Sequence, residues 1–537
     1  MKPDTPKWLN KAIFYQIYPQ SFFDSNADGI GDIPGIRLKL DYLESLGINA
    51  IWINPCFVSP FQDAGYDVAD YTQVAPRYGT NADLKALFSE ADQRGIHILL
   101  DLVPGHTSIE HPWFVESQKH AQNPYTDYYI WNDSIWEPPQ EDLPMVRGYG
   151  QRDGGYITNF FWSQPALNYG FAQTNPEHSW MQPVDAPGPQ KVRQEMKDIM
   201  AFWLEMGASG FRVDMASSLV KRDPYKTETS NFWRSIRSWL NQRYPEAVLV
   251  SEWGNPIQSI PAGFHVDFLL GWGSPGWTSL FRKRGTGRWR DPYGWTFFNE
   301  SGHGDIRAFL DEYLSYYEAT RHEGLIALIT GNHDETPRLA NGKSEAMLKL
   351  IYLFLLTMPG TPFIYFGDEI GMRSQVLPSK EGGYQRTGVR TPMQWSNGAN
   401  AGFSNAPADQ LYLPVDESKD RPTVAMQDAD PGSLLNRVRT LITIRKTHPA
   451  LDADGDFKVI YAQSGTLPFV YSRSKGGQSI LVAINPSNQQ TSVQLPGTLF
   501  DIAPEGIDAP LGAHLVKNGT HWDLVIPPVS GALFKIG

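Results

Sequence analysis

Eight short runs rich in β-branched and aromatic residues alternate with longer segments of helical periodicity. That alternation confines the chain to a parallel sheet assembled from βα units. The strand candidates are IFYQIYP (13–19), INAIWINP (48–55), IHILLDLVP (96–104), GFRVDMA (210–216), AVLVSEW (247–253), HVDFLL (265–270), LIALITGNHD (325–334) and TPFIYFGDE (361–369). Their unbroken apolar character suits strands covered on both faces. Between them lie helical patterns such as IRLKLDYLESLG, ADLKALFSEADQRG, QKVRQEMKDIMAFWLEMG and EAMLKLIYLFLLTM, three of the four closed by glycine. Eight such units imply an α/β fold, a (β/α)8 TIM barrel, with catalytic residues expected at the carboxyl ends of the strands. A doubly wound open sheet is the competitor, but no Gly-rich dinucleotide fingerprint stands between a strand and a helix.

The regular spacing breaks once, after the third strand candidate. Residues 105–175 are rich in proline, tryptophan, tyrosine and asparagine and are too long for an ordinary connection. They read as an inserted excursion domain beside the barrel mouth. After a last helical pattern, SLLNRVRTLITIRKTHPAL, come the short alternating segments FKVIYA, FVYSRS, SILVAINP and DLVIPP, which read as an antiparallel β domain. The expected division is therefore a catalytic barrel over 1–104 and 176–452, an insert over 105–175, and a C-terminal β-sandwich over 453–537.

Composition narrows the function. A net charge of −12 repels phosphate backbones and anionic membrane surfaces, so neither a nucleic-acid nor a membrane partner is expected. A neutral small molecule suits the chain. The hydrophobic fraction of 41%, with 17 tryptophans, excludes disorder. Cys56 is the single cysteine, has no partner for an intramolecular disulfide, and is expected as a buried small residue. No signal-peptide pattern opens the sequence and no stretch is long enough to span a bilayer, which makes a cytoplasmic location the default expectation. Nothing in the sequence indicates an oligomeric state.

Residues 24–32, DSNADGIGD, place hard oxygen ligands on alternate residues of a tight turn. A calcium-sensing EF-hand would need a bidentate glutamate at its twelfth position, which here is Gly35. A sensor is excluded, while a calcium or magnesium site of another kind is not.

Polar residues of interest fall at strand ends. The third candidate leads to Asp101 and His106, the fourth carries Arg212 and Asp214, the fifth ends with Glu252, and the seventh with Asn332, His333 and Asp334. Any one of them could be structural. Several charged clusters converging on one rim are hard to explain by stability, because each buried charge carries a desolvation cost. Two carboxylates on adjacent strands suit glycosidic bond cleavage, one as nucleophile and the other as general acid. Arg212 points to the same side of its strand as Asp214 and is expected to hold it ionised. Glu252 is expected to be kept protonated by partial burial and anionic neighbours.

With these motifs assembled, the chain resembles the α-amylase superfamily of retaining glycoside hydrolases, on its oligo-1,6-glucosidase and α-glucosidase branch. The likeness runs from IFYQIYPQSFFDSNADGIGDIPGI through GYDVADY, DLVPGHTS, GFRVDMASS, SEWG, GNHDETPR and GTPFIYFGDEIGM to RTPMQW, nearly the whole barrel. The resemblance implies Asp214 as nucleophile, Glu252 as acid/base and Asp334 as the third carboxylate, which binds substrate hydroxyls. It implies that His106 and His333 hydrogen-bond the glucose ring at the cleavage point, with Arg212 beside the nucleophile in the substrate site, that Tyr66 stacks on the ring, and that Asp63 and Arg390 close the pocket over the non-reducing end. It also implies a structural calcium held by Asp24, Asn26, Asp28, the Ile30 carbonyl and Asp32, with magnesium not excluded.

Three positions depart from the family's pattern. Gly105 replaces an asparagine that helps bind a second calcium, so no second site is expected. Ala166 in QPALN replaces an aspartate, and Met215 follows the nucleophile where relatives of different linkage preference carry valine, alanine or threonine. The resemblance implies an exo-acting α-glucosidase for short α-glucosides. A transglucosylase or trehalose-synthase-like isomerase and an endo-acting amylase remain open, while the three carboxylates argue against a non-enzymatic transporter-associated relative.

Overall fold

The computed structural model describes residues 4–138, 142–271, 273–282 and 295–537. Its centre is a closed barrel of β1 (Phe14–Ile17), β2 (Ala50–Ile53), β3 (His97–Leu102), β4 (Gly210–Val213), β5 (Val248–Ser251), β6 (Val266–Phe268), β7 (Leu325–Ile329) and β8 (Thr361–Tyr365). All neighbouring strands run parallel, and closure is direct, with Phe14 opposite Ala50 on β2 and Phe363 on β8. The Phe14 and Phe363 rings stack 4.2 Å apart. Nearly every strand residue is buried, as the unbroken apolar runs imply.

All eight strand candidates exist in the expected order, but each ladder stops short of its apolar run. After β7 the cause is local: Asn332 Oδ1 accepts from the backbone N–H groups of Asp334 and Glu335, turning the chain out of the ladder. The polar residues at these ends therefore sit on the rim.

The covering helices follow from their caps. Thr80 and Asp83 form a reciprocal capping box at the start of Asn81–Gln93, and Ser344 caps Glu345–Thr357. The segment read as one helix after β1 is two, Ile33–Leu38 and Leu40–Leu46, broken at Lys39 (φ −107°, ψ 8°). Helix Glu345–Thr357 is apolar almost all round because it touches the C-terminal sheet as well as the helix Leu434–Thr447.

Between β3 and β4 lies the insert, with a short ribbon of Met145–Arg147 against Gly155–Ile157. Its small core gathers Ile130, Leu143, Ile157, Ala166 and Phe171 with Trp180 and Met181 from the segment just beyond residue 175. The C-terminal region forms a five-stranded and a three-stranded antiparallel sheet. Strand alternation sends Phe469, Tyr471, Ile480 and Val482 towards the barrel, and Val470, Leu481 and Ala483 towards Leu495, Leu524 and Ile526 of the smaller sheet.

Candidate active site

The rim residues at the ends of β4 and β5 are fixed by continued backbone pairing. Asp214 N donates to Leu102 O at 2.8 Å and Glu252 N to Val213 O at 2.9 Å. Asp267 of β6, unremarked in the sequence, holds the next loop: its carboxylate accepts from the N–H groups of Trp253, Gly254 and Asn255 and from the hydroxyls of Ser251 and Ser259. The strand-six pattern HVDFLL contained that signal, a buried acid within an apolar run.

Arg212 is the hub. Its Nη1 lies 2.9 Å from Asp101 Oδ1 and 3.1 Å from Asp214 Oδ1, and its Nη2 lies 3.0 Å from Glu252 Oε2. Met215 N donates to that same Glu252 oxygen at 2.9 Å. Asp214 and Glu252 thus sit on neighbouring nitrogens of one guanidinium, and burial followed by the Glu252 charge pushes the Asp214 carboxyl upward against the pull of Arg212. The expectation that Arg212 simply holds Asp214 ionised is thereby corrected, because one guanidinium is divided among three acids.

Beside this cluster Gln16 Nε2 donates to His333 Nδ1 at 3.0 Å, which leaves His333 Nε2–H to donate to the Tyr66 hydroxyl at 2.8 Å. Tyr66 in turn donates to Asp101 Oδ2 at 2.9 Å. The Tyr66 and His333 rings lie 10° from parallel. Burial pushes Asp101 up to about 6 and pushes His333 and His106 down to about 3, so both imidazoles are neutral at ordinary pH.

Asp334 receives two guanidinium groups, Arg386 Nη1 at 2.7 Å and Arg390 Nη2 at 2.9 Å. Burial opposes its charge, but His333, protonated at the low pH where this carboxyl titrates, and the two arginines hold it below its usual range. Arg386 Nη2 also approaches Asp63 Oδ1 at 3.6 Å. Arg390 is turned to Asp334, the His333 carbonyl and the Tyr18 hydroxyl. The guanidinium in contact with Asp63 is thus Arg386, which the sequence reading did not single out.

These groups surround a cavity of 410 Å³, lined by Asp63, Tyr66, His106, Phe160, Asp214, Met215, Ser217, Ser218, Glu252, Asp334 and Arg386. Arg212, His333 and Arg390 stand behind that lining. Phe160, Ser217, Ser218 and Arg386 are additions to the sequence reading; only their place beside recognised motifs could have signalled them. A small concave site with a paired acid floor and fixed hydroxyl-binding groups fits one sugar unit bonded to another group.

The description "Alpha amylase, catalytic domain" matches residues 16–265 and 294–454. The chain belongs to the α-amylase family. It is 31% identical to the glucan 1,6-alpha-glucosidase of Streptococcus pneumoniae, over 94% of this chain and 96% of that protein. It is also 31% identical to the trehalose synthase/amylase of Mycobacterium tuberculosis, over 92% of this chain and 84% of that one. Among solved structures, the trehalulose synthase of Pseudomonas mesoacidophila MX-45 superposes with a TM-score of 0.80 at 27% identity, covering 99% of both chains. The protein is an enzyme acting on glucosides.

Its departures from the family pattern have local explanations. A Cβ on Gly105 would lie 2.6 Å from Asn159 Nδ2. Asn159, from the insert, bonds His106 Nδ1 and Ser218 Oγ, each at 3.2 Å. The Lys221 ammonium donates to Asn159 Oδ1 at 3.0 Å and to Ser218 O at 2.9 Å, placing a protein cation at this junction. Ala166 is fully buried in the insert's apolar core, where a carboxylate would need a partner. Met215, at φ 41°, lines the cavity with its sulfur 3.8 Å from Asn159 Nδ2.

In the 24–32 loop, Asp24 accepts from the N–H groups of Asn26, Ala27 and Gly29 and from Ser404 Oγ. Asp32 accepts from Ser25 and caps the following helix through Gly35 N. Among the described residues no three acidic side chains converge as a metal cluster. The donor set of carboxylates, one amide and one carbonyl nevertheless suits a hard divalent cation, and burial, with repulsion from Asp24 as a lesser cause, raises the Asp32 carboxyl.

Proposed function

We propose that the protein is a retaining, exo-acting α-glucosidase that removes the terminal glucosyl unit from short α-glucosides. The observation that carries this reading is the Asp214–Glu252 pair, bridged by Arg212 on the floor of the cavity. Carboxyls held at 3.1 and 3.0 Å on the two terminal nitrogens of one guanidinium leave no room for the water that an inverting enzyme keeps between acid and base, whose groups stand about 6.5–9.5 Å apart. Asp214 attacks the anomeric carbon as the glycosidic bond breaks. Glu252, with Oε2 held by Arg212 and Met215 N, delivers a proton to the leaving oxygen. Water then attacks the glucosyl ester while Glu252 takes back a proton. Asp334, His106 and Asp63 bind the hydroxyls of the glucose ring, and Tyr66 supplies the surface on which it stacks.

A second reading is favoured by the likeness to a trehalose synthase/amylase and to a trehalulose synthase: a sugar hydroxyl, rather than water, intercepts the glucosyl ester. One experiment addresses both readings. Incubation with maltose, isomaltose, trehalose and sucrose, followed by proton NMR, is expected to give α-glucose as the first product. New disaccharides in excess of glucose would favour transfer. Initial release of β-glucose, or full turnover by Asp214→Ala, would remove the mechanism.

The 24–32 loop is proposed to bind one structural calcium through Asp24, Asn26, Asp28, the Ile30 carbonyl and Asp32. The alternation of hard oxygen donors supports this.

A further inference from the structure

Arg77 lies outside the cavity lining, yet it touches both loops that close the cavity. Its guanidinium carbon stands 3.1 Å from the centroid of the Phe61 ring, while Nη1 and Nη2 reach Glu381 Oε1 and Oε2 at 2.9 and 3.5 Å. Nη2 also donates to Gln20 Oε1 at 3.0 Å and to the Tyr78 hydroxyl at 3.1 Å, fixing the fork on the barrel. Cation–π attraction and a two-point carboxylate contact both depend on the planar guanidinium.

Each partner lies close in sequence to a residue of the pocket. Phe61, at φ 60°, opens the turn that carries Asp63, and Asp67 ties that turn by accepting from Gln62 N and Asp63 N. Glu381, at φ 47°, precedes Gly382, whose carbonyl accepts from Arg386 Nη2 at 2.9 Å. The loops meet at Gly382, where a Cβ would stand 2.8 Å from Gln62 O. Non-glycine residues in left-handed conformations persist only where their surroundings hold them. Arg77 contacts two of them.

We propose that Arg77 is a positioning residue, holding Phe61 and Glu381 so that Asp63 and Arg386 meet over the terminal glucosyl unit, and that it thereby sets affinity for that unit. The proposal rests on reading the cavity as a glucosyl site. It predicts a defect in binding rather than in bond cleavage, because Arg77 touches neither Asp214 nor Glu252.

The test compares Arg77→Met, Arg77→Lys, Glu381→Gln and the Arg77→Met/Glu381→Gln double variant with the wild type. Glucose Kd is measured by calorimetry, and KM and kcat on 4-nitrophenyl α-glucoside. Arg77→Met is expected to raise Kd and KM roughly tenfold with kcat within about twofold, and Glu381→Gln to raise them about threefold. Arg77→Lys should fall between wild type and Arg77→Met, and the double variant should be no worse than Arg77→Met, because the two residues share one contact. Unchanged Kd and KM, strictly additive losses, or a fall in kcat alone would overturn the proposal. If Arg77→Met does not fold, Glu381→Gln and Phe61→Leu decide by the same readouts. A wild type that binds glucose but hydrolyses no α-glucoside refutes the glucosidase reading and leaves the Kd comparison decisive for Arg77. A wild type that binds no glucose overturns both.

Discussion

Gln164 Nε2 donates a 2.8 Å hydrogen bond to Asp63 Oδ2, fastening the insert to the loop that follows β2. Burial pushes the Asp63 carboxyl up to about 7 from an ordinary value of 3.8, against the opposing pull of Gln164 and Arg386. Between those values the folded chain keeps a proton that the unfolded chain has lost. The stability Asp63 contributes is complete below the ordinary value and is lost as pH rises through about 7. Asp63→Asn is expected to flatten the decline in stability across that window, by at most a few kcal/mol, since each tenfold change in proton affinity is worth about 1.4 kcal/mol. Urea unfolding at a series of pH values measures the slope, and a slope equal to that of the wild type would contradict the buried, protonated Asp63.

Arg212 supports a prediction about stability and activity together. It compensates Asp101, Asp214 and Glu252 while only 3% exposed. Removing one partner of a buried ion pair costs about 3–5 kcal/mol, and Arg212→Met leaves the acids to repel one another. The expected outcome is a loss of that size in guanidinium unfolding and no detectable turnover. Arg212→Lys keeps the charge but not the fork, so it should recover part of the stability and little of the activity. Wild-type stability in Arg212→Met would mean that the acids share protons without needing the cation.

The Gly105 junction makes a third. Asparagine there would drive its Cβ into Asn159, which holds His106 and the Lys221 ammonium. Gly105→Asn should cost about 1–3 kcal/mol, the usual range for overpacking. Turnover should also fall, because His106 loses one of the two bonds that orient it, keeping only that of Nε2 with Tyr66 O. Thermal unfolding and steady-state rates check both. A fully active, fully stable variant would show that Asn159 moves without consequence.

The limits of sequence legibility follow the same chemistry. Strand order and the acids at the strand ends were readable because burial on both faces enforces continuous apolar runs, and charges after them stand out. Where each strand ends was not, since Asn332 ends β7 by turning back onto Asp334 N and Glu335 N, a hydrogen bond with no signature in an apolar pattern. Arg386 was missed for a related reason. It reaches Asp334 and Asp63 from a short 3-10 turn, Tyr384–Val389, that follows Glu381, the partner of Arg77 from far earlier in the chain. Asp214 exposes the limit of pairwise electrostatics: the charge beside it in sequence, Arg212, is divided among partners brought in by β3 and β5.

The metal loop yields the last prediction. Asp24 and Asp32 are poor choices for testing a cation, because Asp24 closes the turn through three backbone N–H groups and Asp32 caps a helix. Asp28 is exposed and, among the described residues, accepts only from Asn26 Nδ2 and Ile30 N, so its loss reports on the ion more than on the fold. A cation bound only to the folded chain stabilises it by about 2.7 kcal/mol at a concentration one hundred times Kd. Adding calcium to chelator-treated protein is therefore expected to raise the unfolding temperature by several degrees, and Asp28→Ala should abolish that rise while unfolding close to the chelated wild type. The same temperature for wild type in chelator and in calcium would mean that the backbone donors alone hold the loop, and a response retained by Asp28→Ala would place the ion elsewhere.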